Sequence, residues 1–416
     1  MRMENLTNSS HYRRMTSTSS PTASSAPMPL PFWWLVGVLF VACLCVGLTL
    51  PTVPLFVAGT LGLGNAWAGL AVGIAFLATI LSRGFAGTLT DRQGAKVAAA
   101  RGLFCYIAGA LVCLAAGLPG LHEITAYAVL LIGRLLIGVG ESLVAVGTIT
   151  WCIGLLGPAR SGQVLAWIGA AIYGALAVGG PLGIALYDRL GLAGAMAVAM
   201  ALPALALLAV LPLQALPVMA AAQRPSIWRV VGRIAPQGAI VCLQGIGFAA
   251  IGAFFALHFR AQGWAHAGLG LTAFGAGFVL VRLLFGGLPD RIGGLPVAAA
   301  SLAVETLGQA LLWSAATPNA ALAGAFMTGL GCSMVFPAMG RDVVHRVAPP
   351  LRGTAMGAFS AFQDLAYGLT GPLAGLLADR AGYRGVFLVG TVAAVLGLAM
   401  ALGLWIATRR PAATSH

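Results

Sequence analysis

Four ionisable side chains stand in the middle of long apolar runs. Arg134 and Glu141 share the stretch Leu131-Ile-Gly-Arg134-Leu-Leu-Ile-Gly138-Val-Gly140-Glu141. Glu305 follows Val304, and Asp364 lies in Phe362-Gln-Asp364-Leu-Ala-Tyr367. A charge at the centre of a bilayer costs about 2.5–3.5 kcal/mol on insertion scales, so such a residue faces protein or a water-filled path. A carboxyl group there can take up a proton on one side and release it on the other, and an arginine can organise the site around it. Arg134 and Glu141 are seven residues apart, which places them on one helical face with about 10 Å of rise between them. Water or a substrate can bridge that gap. Asp364 and Glu141 are the candidate proton carriers, Arg134 the organising cation, and Glu305 either a further acid or a packing group. Gln244, Phe248 and Phe336 are the candidate cavity lining, with Phe254, Phe255, Trp167 and Tyr173 as further wall aromatics. His258, near the end of its apolar run, reads as an interfacial residue.

The elements that position these groups follow from composition. The chain has 416 residues, 59% apolar and only 8% charged, whereas a soluble domain carries about 25% charged residues. Runs of 18 or more apolar residues are candidate membrane helices, because about 20 helical residues cross the ~30 Å hydrocarbon core. Alternation over roughly ten residues, as a membrane strand requires, is missing. The spans expected are 33–57, 66–89, 97–117, 124–151, 162–186 and 192–213, then 234–257, 269–288, 295–315, 320–340, 354–378 and 386–407. The chain then divides into a disordered tail (1–32), a six-helix bundle (33–213), a linker (214–233), a second six-helix bundle (234–407) and a tail (408–416). The fold class expected is all-α integral membrane, with twelve transmembrane helices in two pseudo-symmetric bundles.

Net charge is +13, and its placement is informative. These spans leave only Arg189, Arg260, Arg380 and Arg384 on one side, with nearly all other Lys and Arg opposite, so both termini are expected in the cytoplasm. The basic residues are dispersed through short loops rather than gathered on one face, which argues against nucleic acid as a partner. All seven cysteines fall within apolar runs, none in a CxxC pair or at metal-ligand spacing, and they read as small buried hydrophobes. No nucleotide-binding loop, metal cluster or nucleophilic arrangement is present in the sequence, so no enzyme activity and no cofactor are expected. The 57 glycines suit close helix contact in lipid.

The two halves repeat. Arg83, Gly87, Asp91, Arg92 and Gly94 recur 199 positions on as Arg282, Gly286, Asp290, Arg291 and Gly293. Gly180-Pro181 and Asp188-Arg189 recur 191 positions on as Gly371-Pro372 and Asp379-Arg380, and Gly138, Gly140 and Ser142 recur as Gly329, Gly331 and Ser333. Parallel repeats of this kind place a substrate near midplane between the halves. The second half carries Ala325 and Cys332 where the first has Arg134 and Glu141, so the chemistry is asymmetric.

The stretch Gly87-Thr-Leu-Thr-Asp91-Arg92-Gln-Gly94-Ala-Lys96, placed in a tight link between the second and third spans, resembles the signature G-x-x-x-D-R-x-G-R-[RK] of the major facilitator superfamily. It departs from it at Ala95, where a base is usual, and the copy from Gly286 lacks the trailing bases. The resemblance makes Gly87, Asp91, Arg92 and Gly94, with Asp290 and Arg291, a cytoplasmic conformational latch. The intramembrane Arg134 before Gly138-Val-Gly140 resembles the helix-4 motif of the same superfamily. Gly179-Gly180-Pro181-Leu-Gly183 resembles its antiporter signature G-x-x-x-G-P-x-x-G-G, with Leu176, Ile184 and Ala185 as departures. Within the superfamily, Gly293-Gly294-Leu295, Val304-Glu305, Val335-Phe336-Pro337-Ala338 and Gly368-Leu-Thr-Gly371-Pro372-Leu-Ala-Gly375 are similar to the YhhS/YfcJ-type branch of the drug:proton antiporter group. The resemblance implies a monomeric secondary transporter of the bacterial inner membrane. Its expected partners are protons, a small-molecule substrate and the lipid bilayer, with efflux by alternating access. The alternatives are uptake of an anionic metabolite with Arg134 as counter-charge, or a non-transporting sensor.

Overall fold

Lipid offers no hydrogen bonds to the backbone, so apolar runs of this length satisfy their own peptide groups as helices. The computed structural model describes residues 27–157, 160–217, 228–348 and 351–409. Most of the expected N-terminal tail (1–26), the centre of the linker (218–227) and the C-terminal end (410–416) lie outside the described residues. Among the described residues the fold is entirely helical. The helices are α1 (Leu30–Leu55, continued by a π-helical turn Phe56–Thr60), α2 (Asn65–Gln93), α3 (Ala95–Ala116), α4 (Glu123–Leu156) and α5 (Ser161–Val210). They continue with α6 (Trp228–Ala261), α7 (Leu269–Phe285), the short α8 (Leu288–Ile292), α9 (Gly294–Ser314), α10 (Pro318–Arg346) and α11 (Arg352–Arg409).

Two of these are too long for one crossing. Fifty residues in α5 and 58 in α11 would extend about 75 and 87 Å at 1.5 Å per residue. Each is broken by a glycine in a conformation closed to other residues, Gly191 (φ 67°, ψ −169°) and Gly382 (φ 73°, ψ 171°). These two glycines are themselves 191 positions apart. Divided there, the two long helices become four segments, which brings the apolar segments among the described residues to twelve, counting the 17-residue α7. Leu81, Phe104, Leu208 and Leu284 are exposed on the outside of the bundle, as suits a surface that meets acyl chains.

The expected link between the second and third spans is corrected. Helix α2 runs on to Gln93, so Gly87, Asp91 and Arg92 occupy its last turns, and Gly94 alone (φ 92°, ψ 158°) separates it from α3. Gly293 (φ 95°, ψ 157°) makes the same one-residue break between α8 and α9. The remaining contacts repeat in register. A Cβ on Gly109 would lie 2.8 Å from the Gly133 carbonyl oxygen, and one on Gly308 2.9 Å from that of Gly324. A Cβ on Gly138 would run into the Ala75 carbonyl, and one on Gly329 into that of Phe274. The halves therefore share one internal plan, and they meet along α2 against α11 and α5 against α7. At the first seam Gly69 and Gly73 press on the carbonyls of Gly371 and Gly368, at the second Gly268 presses on Pro181. Bare backbone at these positions is what lets the helices come so close.

Candidate functional site

A small cavity of about 50 Å³ lies between the halves. It is lined by Cys43, Val46 and Leu50 of α1, Phe76 of α2, Glu141 of α4, Ile172, Tyr173 and Leu176 of α5, Phe248 of α6 and Tyr367 of α11. One water occupies about 30 Å³ in the liquid, and organic ligands need roughly 300–1,000 Å³. The site is thus nearly shut in this conformation. Its wall is aromatic: Phe248 packs edge-on to Tyr367 (4.9 Å) and Tyr173 (5.7 Å), and Phe76 to Tyr367 (5.2 Å). The Tyr173 and Tyr367 hydroxyls meet at 3.2 Å across the seam between the halves.

One turn from Tyr367, Asp364 accepts a hydrogen bond from Arg83 Nε (2.6 Å), and a second guanidinium nitrogen of Arg83 contacts the same carboxylate oxygen. Asp364 is buried and Arg83 partly so. This pair joins α2 of one half to α11 of the other. Arg83 was visible in the sequence only as the first member of the repeated block; nothing there tied it to Asp364, 281 positions away.

The structure brings Glu141 and Phe248 to the cavity and Asp364 beside it. Arg134 goes elsewhere. It is 1% exposed, and its three nitrogens are occupied within the first half: Nε donates to the Ala71 carbonyl (3.0 Å), Nη1 to Thr49 Oγ1 (3.0 Å) and Nη2 to the Val72 carbonyl (3.3 Å). It clamps α4 to α1 and α2 and does not line the cavity. Phe336 likewise turns away, packing on Phe359 (4.9 Å) in a separate apolar cluster. Gln244 is buried, and its Oε1 has no hydrogen-bond partner. Glu305 is fully buried on α9 beside the Cys332 thiol and close to Gly247 and Gln309, with no N–H or O–H donor on either carboxyl oxygen. His258 is corrected from interfacial to buried (1% exposed), enclosed by Trp264, Tyr383 and Phe387. Of the signature residues, Arg92 and Arg291 are exposed and Asp290 Oδ1 contacts Arg341 Nε at 3.3 Å. Gly180 and Pro181 sit where α5 crosses α7, and Gly183 where α5 packs on Leu48 of α1. Helix α5 passes through Pro181 without non-helical backbone there; its break is at Gly191.

The far end of the bundle, opposite Leu30 and Arg409, is closed by contacts between the halves. Asp379 of α11 caps α2: Oδ1 accepts from the Asn65 backbone N–H (2.9 Å) and Nδ2 (2.8 Å), and Oδ2 from the Ala66 N–H (3.2 Å). Tyr383 donates to Asn65 Oδ1 (2.8 Å). At the other seam Asp188, the repeat counterpart of Asp379, pairs with Arg260. A groove of about 460 Å³ opens beside that pair, lined by Pro181, Asp188, Arg260, Trp264 and His266 among others. The recurrence of Asp188 and Asp379 was legible in the sequence, whereas their bridging of the halves was not.

An all-helical bundle of two like halves, with a charged pair and an aromatic cavity between them, defines a polytopic membrane transporter. The sequence profile of the Major Facilitator Superfamily matches residues 35–264 and 238–416, and the chain belongs to that superfamily. It is 44% identical over 370 residues to an uncharacterised MFS-type transporter of Salmonella typhimurium, covering 87% of this chain and 93% of that one. An uncharacterised MFS-type transporter of Burkholderia mallei is 38% identical over 395 residues, covering 93% and 97%. Among solved structures, the D323A mutant of the nucleoside transporter NupG superposes with a TM-score of 0.74 at 16% identity, covering 90% of this chain and 99% of that one. The human organic anion transporter MFSD10 (TETRAN) gives 0.67 at 17% identity, covering 90% and 100%. At such identities the likeness speaks for the fold.

Proposed function

We propose that the chain is a proton-coupled secondary transporter of the bacterial inner membrane, with cytoplasmic termini, exporting a small organic molecule by alternating access. The observation that carries this reading is the Arg83–Asp364 pair, which ties the two halves together beside the central cavity. A proton on Asp364 removes the charge that holds Arg83 and weakens one of the seams along which the halves must slide. Glu141, on the cavity wall, is the second protonatable group within reach of a substrate. The far-end contacts at Asp379 and Asp188 hold the opposite gate shut. The Gly180-Pro181 stretch at the α5–α7 crossing, similar to the antiporter signature, supports exchange, and the resemblance of the stretches from Gly293, Val335 and Gly368 supports a drug:proton antiporter of the YhhS/YfcJ type. Arg134, held within the first half by Ala71, Val72 and Thr49 and absent from the cavity lining, is not placed as the counter-charge for an anion.

The test is flux in proteoliposomes under an imposed pH gradient. Asp364→Asn keeps the shape and loses the titrating group; it should retain folding and membrane insertion and abolish pH-driven transport. Unchanged proton-driven flux in that variant removes Asp364 from the mechanism.

A further inference from the structure

The repeat places Arg282 on α7 where Arg83 stands on α2, and Tyr173 on α5 where Asp364 stands on α11. The two seams are built alike, yet their chemistry differs. At the first seam the guanidinium meets a carboxylate. At the second, Arg282 lies over the Phe278 ring (5.4 Å to its centroid), its Nε is buried without a hydrogen-bond partner, and no acid pairs with it among the described residues. Phe278 in turn stacks on Tyr173 at 3.6 Å. Room for the guanidinium against α5 comes from Gly169, where a Cβ would lie 3.1 Å from Arg282 Nη2. Arg282 therefore sits one ring behind Tyr173 of the cavity wall, with Phe278 between them.

A cation held between protein surfaces without a counter-charge is unfavourable, and one aromatic face offsets only part of that. Glu141, which lines the cavity and has no ion-pair partner among the described residues, can become neutral by taking a proton; a guanidinium cannot. The permanent unmet charge of the site is thus positive. We infer that Arg282 is the counter-charge for the substrate, and that the substrate is an organic anion with a flat apolar body. The body lies against Tyr173, Phe248 and Tyr367, and the anionic group reaches Arg282 as the halves part. This rests on the transporter reading above and names the class of molecule it carries.

The test is binding to the purified full-length chain in detergent, with no gradient, by calorimetry and thermal shift. The probes are 2-naphthoate, its neutral isostere 2-naphthamide, and 2-naphthylmethylammonium. Naphthoate should bind saturably and at least tenfold more tightly than the other two. Arg282→Gln should weaken naphthoate at least tenfold and leave naphthamide unchanged, and Arg282→Lys should recover part of the loss. Should Arg282→Gln not fold, Gly169→Ala displaces the guanidinium without removing it and should weaken naphthoate in the same direction. Equal binding of the amide or the ammonium, binding of none of the three, or full naphthoate affinity in Arg282→Gln would overturn the inference. Because no proton gradient enters this assay, such a result leaves proton coupling standing. Conversely, a vesicle experiment without proton flux leaves the anion preference standing.

Discussion

The cap that Asp379 places on α2 makes a sharp prediction about the far gate. Replacing Asp379 by alanine removes three hydrogen bonds, to the Asn65 backbone and side chain and to the Ala66 backbone, and leaves the first two N–H groups of α2 without this acceptor. A hydrogen bond to a charged group contributes about 1.5–3 kcal/mol, and losing an N-cap costs about 1 kcal/mol. The three bonds share one carboxylate, so their contributions overlap rather than add, and a net loss of about 2–3 kcal/mol is expected. Every 1.4 kcal/mol is tenfold, so the ratio of open to closed far ends should rise about 30- to 150-fold. Tyr383 keeps its bond to Asn65 only if that residue stays in place. Spin labels at the exposed far-end positions Leu121 in the first half and Asn319 in the second report the separation of the halves. The wild type should give a single short distance, Asp379→Ala a substantial longer component, and Asp379→Asn an intermediate distribution. An unchanged distribution in Asp379→Ala would show that the Asp188–Arg260 pair and the glycine seam at Gly69 and Gly371 suffice to close this end, and that the carboxylate cap is incidental.

Two further outcomes concern charged residues that are buried, Arg134 and Glu305. Arg134→Ala should destabilise the first bundle by about 2–3 kcal/mol, since it strips the Ala71 and Val72 carbonyls and Thr49 of their donor. Thermal melting checks this, and a variant that melts like wild type but no longer binds substrate would return Arg134 to the site. Glu305→Gln should melt at or slightly above the wild-type temperature, because the only donor beside its carboxyl group among the described residues is the weak Cys332 thiol. A drop corresponding to more than about 2 kcal/mol would mean that an ionised carboxylate is held there by a partner.

The sequence by itself determined the class of fold and the inventory of charge. Lipid forces every long apolar run into a helix, so the runs were countable, and within them Arg134, Glu141, Glu305 and Asp364 stood out by contrast. Duplication was legible too, because the glycines and aspartates that hold one seam must recur to hold the other. What only the tertiary structure decided was which charge meets which. Two positions with the same helical address can turn toward the partner half or into their own bundle. Arg134 turned inward to backbone carbonyls, Phe336 turned to Phe359, and Arg83, unremarkable in sequence, crossed to Asp364. The physical reason is that a helix fixes the spacing of its side chains, whereas their partners depend on how helices hundreds of residues apart are rotated against one another.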